Sequence, residues 1–190
     1  YEALLDRINA DLAPLQSMAA ALSELDVLCC LTERAKALNL NLPELIDEPL
    51  LGGLVHYSIL HHPTLDRALS YRISLKLANP EMSEQILREI CDEAYGEAPE
   101  LALSARADIA ATYERDPACH RFLQPLLFFK GFQAVQAYRV AHWLWTQGRR
   151  DLSYFFQMRS SEVFGIDIHP AARIGKGIMI DHAHSIVIGE

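Results

Sequence analysis

The spacing of apolar residues in this chain changes once, near Phe164. Upstream they recur three and four apart, as one face of an α-helix requires; downstream Ile168, Ile174, Ile180 and Ile186 recur every six. Residues 1–13 carry Leu4, Leu5, Ile8 and Leu12 on one face before Pro14 breaks or kinks the run. Met18, Leu22, Leu25 and Cys29, with Leu28, Leu31, Ala35 and Leu38 on a neighbouring stripe, predict a long amphipathic helix that ends over 39–43. A helical stretch follows Asp47-Glu48-Pro49 as far as Pro63. Thr64 is placed to cap a helix burying Leu65, Ala68, Leu69, Ile73 and Leu77, and Asn79-Pro80 marks a turn. Ser83 caps a helix that bears Ile86, Ile90 and Ala94 and closes at Gly96. Pro99 opens another, to about Tyr113, interrupted by Arg115-Asp116-Pro117. A long helix from about Gln124 to Gly148, and a last one from Asp151 to Phe164, complete the helical part.

A single aliphatic at every sixth place, with small residues between, suits neither a helix face nor an alternating strand. It is the mark of a hexapeptide β-helix, whose short strands turn through flat corners and stack as coils. The isoleucines point inward, and Gly175, Gly177 and Gly189 are expected at the corners. Set into this ladder are Asp181, His182 and His184, with Asp167 and His169 one coil back.

Bulk properties narrow the functional classes. A net charge of −8, with no basic cluster longer than Arg149-Arg150, disfavours a general nucleic-acid grip. The most apolar window, 122–145, is interrupted by Gln124, Pro125, Lys130, Gln133, Gln136, Arg139 and His142, too many for a bilayer span. Its aromatic residues Phe128, Phe129, Phe132, Tyr138, Trp143 and Trp145 read as core, with some at a subunit interface. Cys29, Cys30, Cys91 and Cys119 form no CxxC pair and read as reduced thiols of a cytoplasmic protein. Residues 1–13 lack the basic start of a secretory signal. Tyr1 in place of Met, and an unfinished last hexad, read as cut ends. His182 and His184 form His-x-His near Asp167, Asp181 and His169, which leaves zinc as an alternative to acid–base chemistry.

Two resemblances sharpen this reading. The text ALSELDVLCCLTERAKALNLNLP, residues 21–43, is similar to the helix of MutS-type DNA mismatch-repair ATPases that returns from the lever region toward the core. No GxxxxGK[ST] phosphate loop accompanies it, so mismatch repair is not expected of the chain. From Asp47 onward the chain resembles serine acetyltransferase, through DEPLL, ALSYRISLKLANPEM, the RDPA turn, PLLFFKGFQAVQAYRVAHWLW and DIHPAARIGKGIMIDHA running into IVIGE.

That resemblance implies a mainly α chain: a helical N-terminal domain followed by the first coil of a truncated left-handed parallel β-helix. The implied domains are 1–46 (mismatch-repair-like), 47–165 (helical) and 166–190 (β-helix). It implies acetyl transfer from acetyl-CoA, a co-substrate, to the hydroxyl of L-serine, with no bound cofactor and no metal. His182 would be the general base and Asp167 would orient its imidazolium. Asp116 and Asp181, with Pro117 shaping the turn, would hold the serine ammonium, and Glu190 matches an acidic position beside the site. A homo-oligomer, trimer-based and paired through helical domains, is implied for full-length relatives, without nucleic acid or membrane. The family commonly reads Asp-His-Ala-Thr-Gly where this chain has His184 and Ser185 in the last two places. The later coils, with an Arg-His pair for the serine carboxylate, the acetyl-CoA channel and the tail that docks O-acetylserine sulfhydrylase, do not follow Glu190. The expectation is therefore little or no turnover as given, and the competing reading is a non-catalytic helical oligomerisation module in a chimeric chain.

Overall fold

The structure is a computed structural model that describes residues 49–190. The mismatch-repair-like segment, Cys29 and Cys30 lie outside the described residues. The chain divides into two compact units, Tyr1–Leu60 and His61–Glu190. Of the first, the described part is a run of single turns: 3₁₀ over Pro49–Leu51, α over Gly52–Val55 and π over His56–Leu60.

The second unit holds six helices and two strands. They are α1 (Leu65–Leu77), α2 (Glu84–Glu97), α3 (Glu100–Arg115), α4 (Leu123–Phe128), α5 (Lys130–Thr146), α6 (Arg150–Phe164), β1 (Ile166–Ile168) and β2 (Ile186–Ile188). α1 pairs with α2 and α5 with α6, and α5 also touches α1, α2, α3, α4 and β1. A helix met on all sides has no solvent face, and α5 accordingly buries Phe132, Val135, Tyr138, Val140, Trp143 and Leu144. Leu69, Ile73, Leu77, Leu87 and Phe156 fill the space around it. No helix among the described residues is long and apolar enough to cross a membrane.

Local signals held in part. The Ser83 hydroxyl accepts from the Ile86 amide at 3.4 Å, as an N-cap should. Thr64 begins α1 without a side-chain cap; the first turn closes through its carbonyl instead. Ile86 is 47 % exposed, on the outer edge of its helix, and α2 runs one residue past Gly96. The helix expected from Gln124 to Gly148 is two helices, because Phe129 is extended at φ −93° and ψ 103°. That single residue redirects the chain so that the start of α5 meets residue 180.

Burial also fixes chemistry in this core. Cys91 and Cys119 are free thiols. Desolvation, and then the Asp92 charge, push the Cys91 thiol far above its ordinary range, and burial does the same to the Tyr95 phenol. Folded-state values above the unfolded ones contribute stability that is intact at neutral pH. It is lost as pH rises past about 9, where the unfolded thiol and then the phenol ionise. We expect the urea midpoint to fall between pH 8 and pH 10.5, and Cys91 to resist iodoacetamide until the protein unfolds.

After α6 the chain turns into the coil. β1 and β2 pair in parallel, Ile166 with Ile186, Asp167 with Val187 and Ile168 with Ile188. One circuit therefore takes twenty residues, two more than three hexads. Because side chains alternate along a strand, a shift of two keeps the same face inward. Ile166 and Ile168 are buried, whereas Ile174, Ile180 and Ile186 are only half-buried.

The corners differ from expectation. Of the three corner glycines only Gly177 has positive φ, at 75°, and the left-handed turn before β2 is made by His182 (φ 50°), Ala183 (φ 42°) and Ser185 (φ 55°). A side chain in that region costs roughly 1 kcal/mol or more, which glycine escapes. Ser185→Gly is expected to raise stability by about 1 kcal/mol, read as an upward shift of the thermal midpoint.

Candidate active site

α3, the α4–α5 junction and the coil line an open cavity of about 340 Å³. Thr112 and Asp116 line it from the end of α3, Phe128, Lys130 and Phe132 from the junction, and Ile180, Asp181 and His182 from the coil. Asp116 is the C-cap of α3, its amide bonded to the Thr112 carbonyl at 2.9 Å. One of its carboxylate oxygens accepts from the Ala118 amide at 2.8 Å and so holds the turn around Pro117; the other is left for the cavity. Pro117 is exposed and shapes this turn without lining the cavity. On the opposite wall, the His182 Nε2 lies 3.8 Å from the Asp181 carboxylate, and the imidazole is 97 % exposed.

The coil is held in place by backbone contacts to helix side chains. Along α5 the contacts run from His142, at residue 170 of the coil, to Gly131, at residue 180. His142 Nδ1–H donates to the Pro170 carbonyl at 2.7 Å. The Tyr138 hydroxyl donates to Ala172 O and accepts from the Ile174 amide. Arg139 reaches Gly175 O at 2.9 Å. At the end of the row Gly131 approaches so closely that a Cβ there would lie 2.0 Å from Ile180 O. α3 adds two contacts: Asp108 Oδ1 accepts from the Ile178 amide at 2.8 Å, and Arg115 donates to Gly177 O at 2.9 Å. Two of the polar residues that argued against a membrane span, Arg139 and His142, thus fasten the coil. Gln133 is buried too, satisfied by Leu126 O at 2.8 Å.

The remaining candidate residues lie outside this lining. Asp167 Oδ1 accepts from Gln157 Nε2 at 2.6 Å, and no hydrogen bond or ion pair joins Asp167 to His182. Glu190 Oε1 is 3.7 Å from His169 Nδ1, a nitrogen that also accepts from the Ala171 amide at 3.2 Å. Trp145 and Tyr154 meet the His169 ring edge-on. No three His, Cys, Asp or Glu side chains among the described residues gather as a metal site requires.

Sequence reasoning missed Asp108, Thr112, Lys130, Gly131 and Gln157. A signal for Asp108 existed: it stands three residues from Ala105 and from Ala111, on the helix face that those alanines bury. A carboxylate at such a place needs buried donors.

A cavity with two carboxylates, an imidazole and an aromatic wall can hold a small cation and take a proton from a group beside it. The family described as "Serine acetyltransferase, N-terminal" matches residues 42–137. Serine acetyltransferase of Escherichia coli (strain K12) is 51 % identical over 143 residues, 75 % of this chain and 52 % of that protein. That of Haemophilus influenzae is 49 % identical over 144 residues, 76 % of this chain and 54 % of the relative. The chain thus spans about half the length of the curated relatives it matches. Among solved structures, Neisseria gonorrhoeae serine acetyltransferase in complex with serine superposes with a TM-score of 0.73 at 48 % identity, covering 75 % of this chain and 59 % of that one. A serine acetyltransferase in complex with CoA gives 0.79 at 46 % identity, covering 87 % and 69 %.

Proposed function

Because the chain belongs to the serine acetyltransferase family, we propose that the whole protein transfers an acetyl group from acetyl-CoA to L-serine, giving O-acetylserine and CoA. The cavity between α3 and the coil is the serine end of that site. The observation that carries this reading is the convergence of Asp116 and of Asp181-His182, from separate elements, on one small cavity. Asp116 and Asp181 take the ammonium group, with Pro117 setting the turn that aims Asp116. His182 accepts the hydroxyl proton as the serine oxygen attacks the thioester carbonyl. The new C–O bond forms, the C–S bond breaks, and the proton passes to the departing thiolate. Asp167 supports the imidazolium, and Glu190 lies beside the site; both roles rest on the family resemblance.

The assembly follows the same reading. Residues 47–165 are the helical domain, and 166–190 the first coil of a left-handed parallel β-helix. The protein is a cytoplasmic homo-oligomer, trimer-based and paired through the helical domains. The 190-residue chain by itself turns over little. Here the His182 imidazole is almost wholly exposed, Asp167 Oδ1 accepts from Gln157, and the Asp181 carboxylate stands 3.8 Å from Nε2, too far for a hydrogen bond that would fix the ring tautomer.

Thiol release from acetyl-CoA tests the proposal. The whole protein should release CoA only when serine is present, and His182→Ala should slow this by ~10²–10⁴-fold, the usual worth of a positioned general base. Serine-independent release, or full activity in the alanine variant, would remove His182 from the reaction.

A further inference from the structure

Resting on that acetyl-transfer reading, we infer that Asp108, with Arg139, is a positioning residue of the site: it fixes the spacing between the two walls of the serine cavity. Asp108 is fully buried and Arg139 nearly so. Asp108 Oδ2 accepts from Gln136 Nε2 at 2.9 Å, Arg139 Nε at 3.0 Å and Arg139 Nη2 at 2.7 Å. These three bonds join α3 to α5 and would suffice to pin the helices together. Oδ1 does something else: it leaves the helical layer and takes the Ile178 amide at 2.8 Å. Arg139 Nη2 makes the same crossing, bridging Asp108 to Gly175 O. The pair therefore grips both ends of the corner 175–178, and Arg115 grips its middle at Gly177 O.

The geometry of α3 gives this grip its consequence. Asp108, Thr112 and Asp116 stand four residues apart, along one face of the helix. The Thr112 hydroxyl bonds the Asp108 carbonyl at 2.8 Å, and Thr112 and Asp116 line the cavity. On the other wall, Asp181 follows the clamped Ile178 by three residues and His182 by four. One rigid helix thus carries Asp116 directly and holds Asp181 and His182 through the Asp108–Ile178 bond. Both carboxylate oxygens of Asp108 are buried and hydrogen-bonded, and such a grip resists displacement, so the two carboxylates and the imidazole keep a set separation. A shift of about 1 Å in catalytic groups can cost ~10²-fold in rate.

The test compares Asp108→Asn and Arg115→Met with the unaltered whole protein, at a temperature where circular dichroism shows each fully folded. The amide introduced by Asp108→Asn lacks the charge that holds Arg139 and cannot serve the three donors and the Ile178 amide as a carboxylate does. The expected result is a fall of ~10²-fold in kcat/KM for serine, with KM for acetyl-CoA within about twofold of its original value. Arg115 is exposed, so its replacement leaves the thermal midpoint unchanged; serine KM should still rise several-fold. Equal deterioration for serine and acetyl-CoA would mean general loosening and overturn the inference, as would serine kinetics within about twofold of the original in both variants. If Asp108→Asn does not fold, Arg115→Met decides alone by the same criterion. Absence of serine-dependent transfer in the unaltered protein is a separate outcome: it removes the acetyl-transfer reading and the positioning role with it.

Discussion

Gly131→Ala is expected to destabilise the helical unit by about 3 kcal/mol and, under the proposed acetyl transfer, to cut serine-dependent turnover of the whole protein by ~10²-fold. The reason is local. A Cβ at this position would sit 2.0 Å from Ile180 O, 3.0 Å from the carbonyl carbon and 3.2 Å from the Ile180 Cβ. Two of those atoms are backbone, so no rotamer change relieves the clash. Either α5 must retreat or residues 179–181 must move outward, and both paths displace Asp181 and His182 from the cavity wall. Overpacking commonly costs 1–3 kcal/mol, and a backbone neighbour places this case at the upper end. Gly96→Ala is the matched control. Nothing lies within 4 Å of its added methyl group, and Gly96 is inside α2, so the change should stabilise by about 0.5–1 kcal/mol. Urea titrations of the two variants should move in opposite directions. A Gly131 variant as stable as the original would mean that the contact between α5 and the coil is not maintained in solution.

Arg139→Ala should cost about 3–5 kcal/mol, because it leaves the Asp108 carboxylate buried without its counter-charge. That is a large share of the 5–15 kcal/mol by which domains of ordinary size are stable. Removing both partners, as in Asp108→Leu with Arg139→Met, should recover much of the loss, since no lone charge remains. Recovery should stop short of the original stability. The double variant leaves the Ile178 amide, Gly175 O and the Gln136 amide without these partners, and each stranded group costs about 1–3 kcal/mol where it stays dry. Denaturant titrations of Asp108→Leu, Arg139→Met, their double variant and the unaltered protein give the coupling energy. A double variant less stable than Arg139→Ala would show that the pair is not the dominant charge interaction at this place.

Much of the helical layer could be read from residue order. Ser83 as a cap, the turn at Asn79-Pro80 and the period change after Phe164 are local signals, and each is where the chain behaves as its neighbours in sequence dictate. The misses share a cause. Phe129 has no residue-level reason to be extended, and its conformation answers to the approach of Gly131 to Ile180. Positive φ was assigned to glycines, whereas His182, Ala183 and Ser185 adopt it because the chain must return to pair β2 with β1. Ile86 kept the helical spacing and still faces outward, since spacing gives a face and says nothing about how wide its cover is. In the candidate site, Asp116, Asp181 and His182 were legible through the family resemblance. Gln157 beside Asp167, and Asp108 beneath the coil corner, come from residues ten and seventy positions away in sequence. No periodicity encodes such pairs.

By itself, the order of residues determined that helices precede a six-residue ladder and which residue types could handle a proton or an ammonium group. These are properties of short stretches, set by side-chain spacing and intrinsic chemistry. Only the tertiary structure decided that Tyr138, Arg139 and His142 of α5 fasten the coil, that one circuit takes twenty residues, and that an Asp on α3 spans to the corner carrying the opposite wall. Those outcomes depend on which buried donors find which acceptors across the packed helices. That matching is a property of the assembled core and has no counterpart in any single segment.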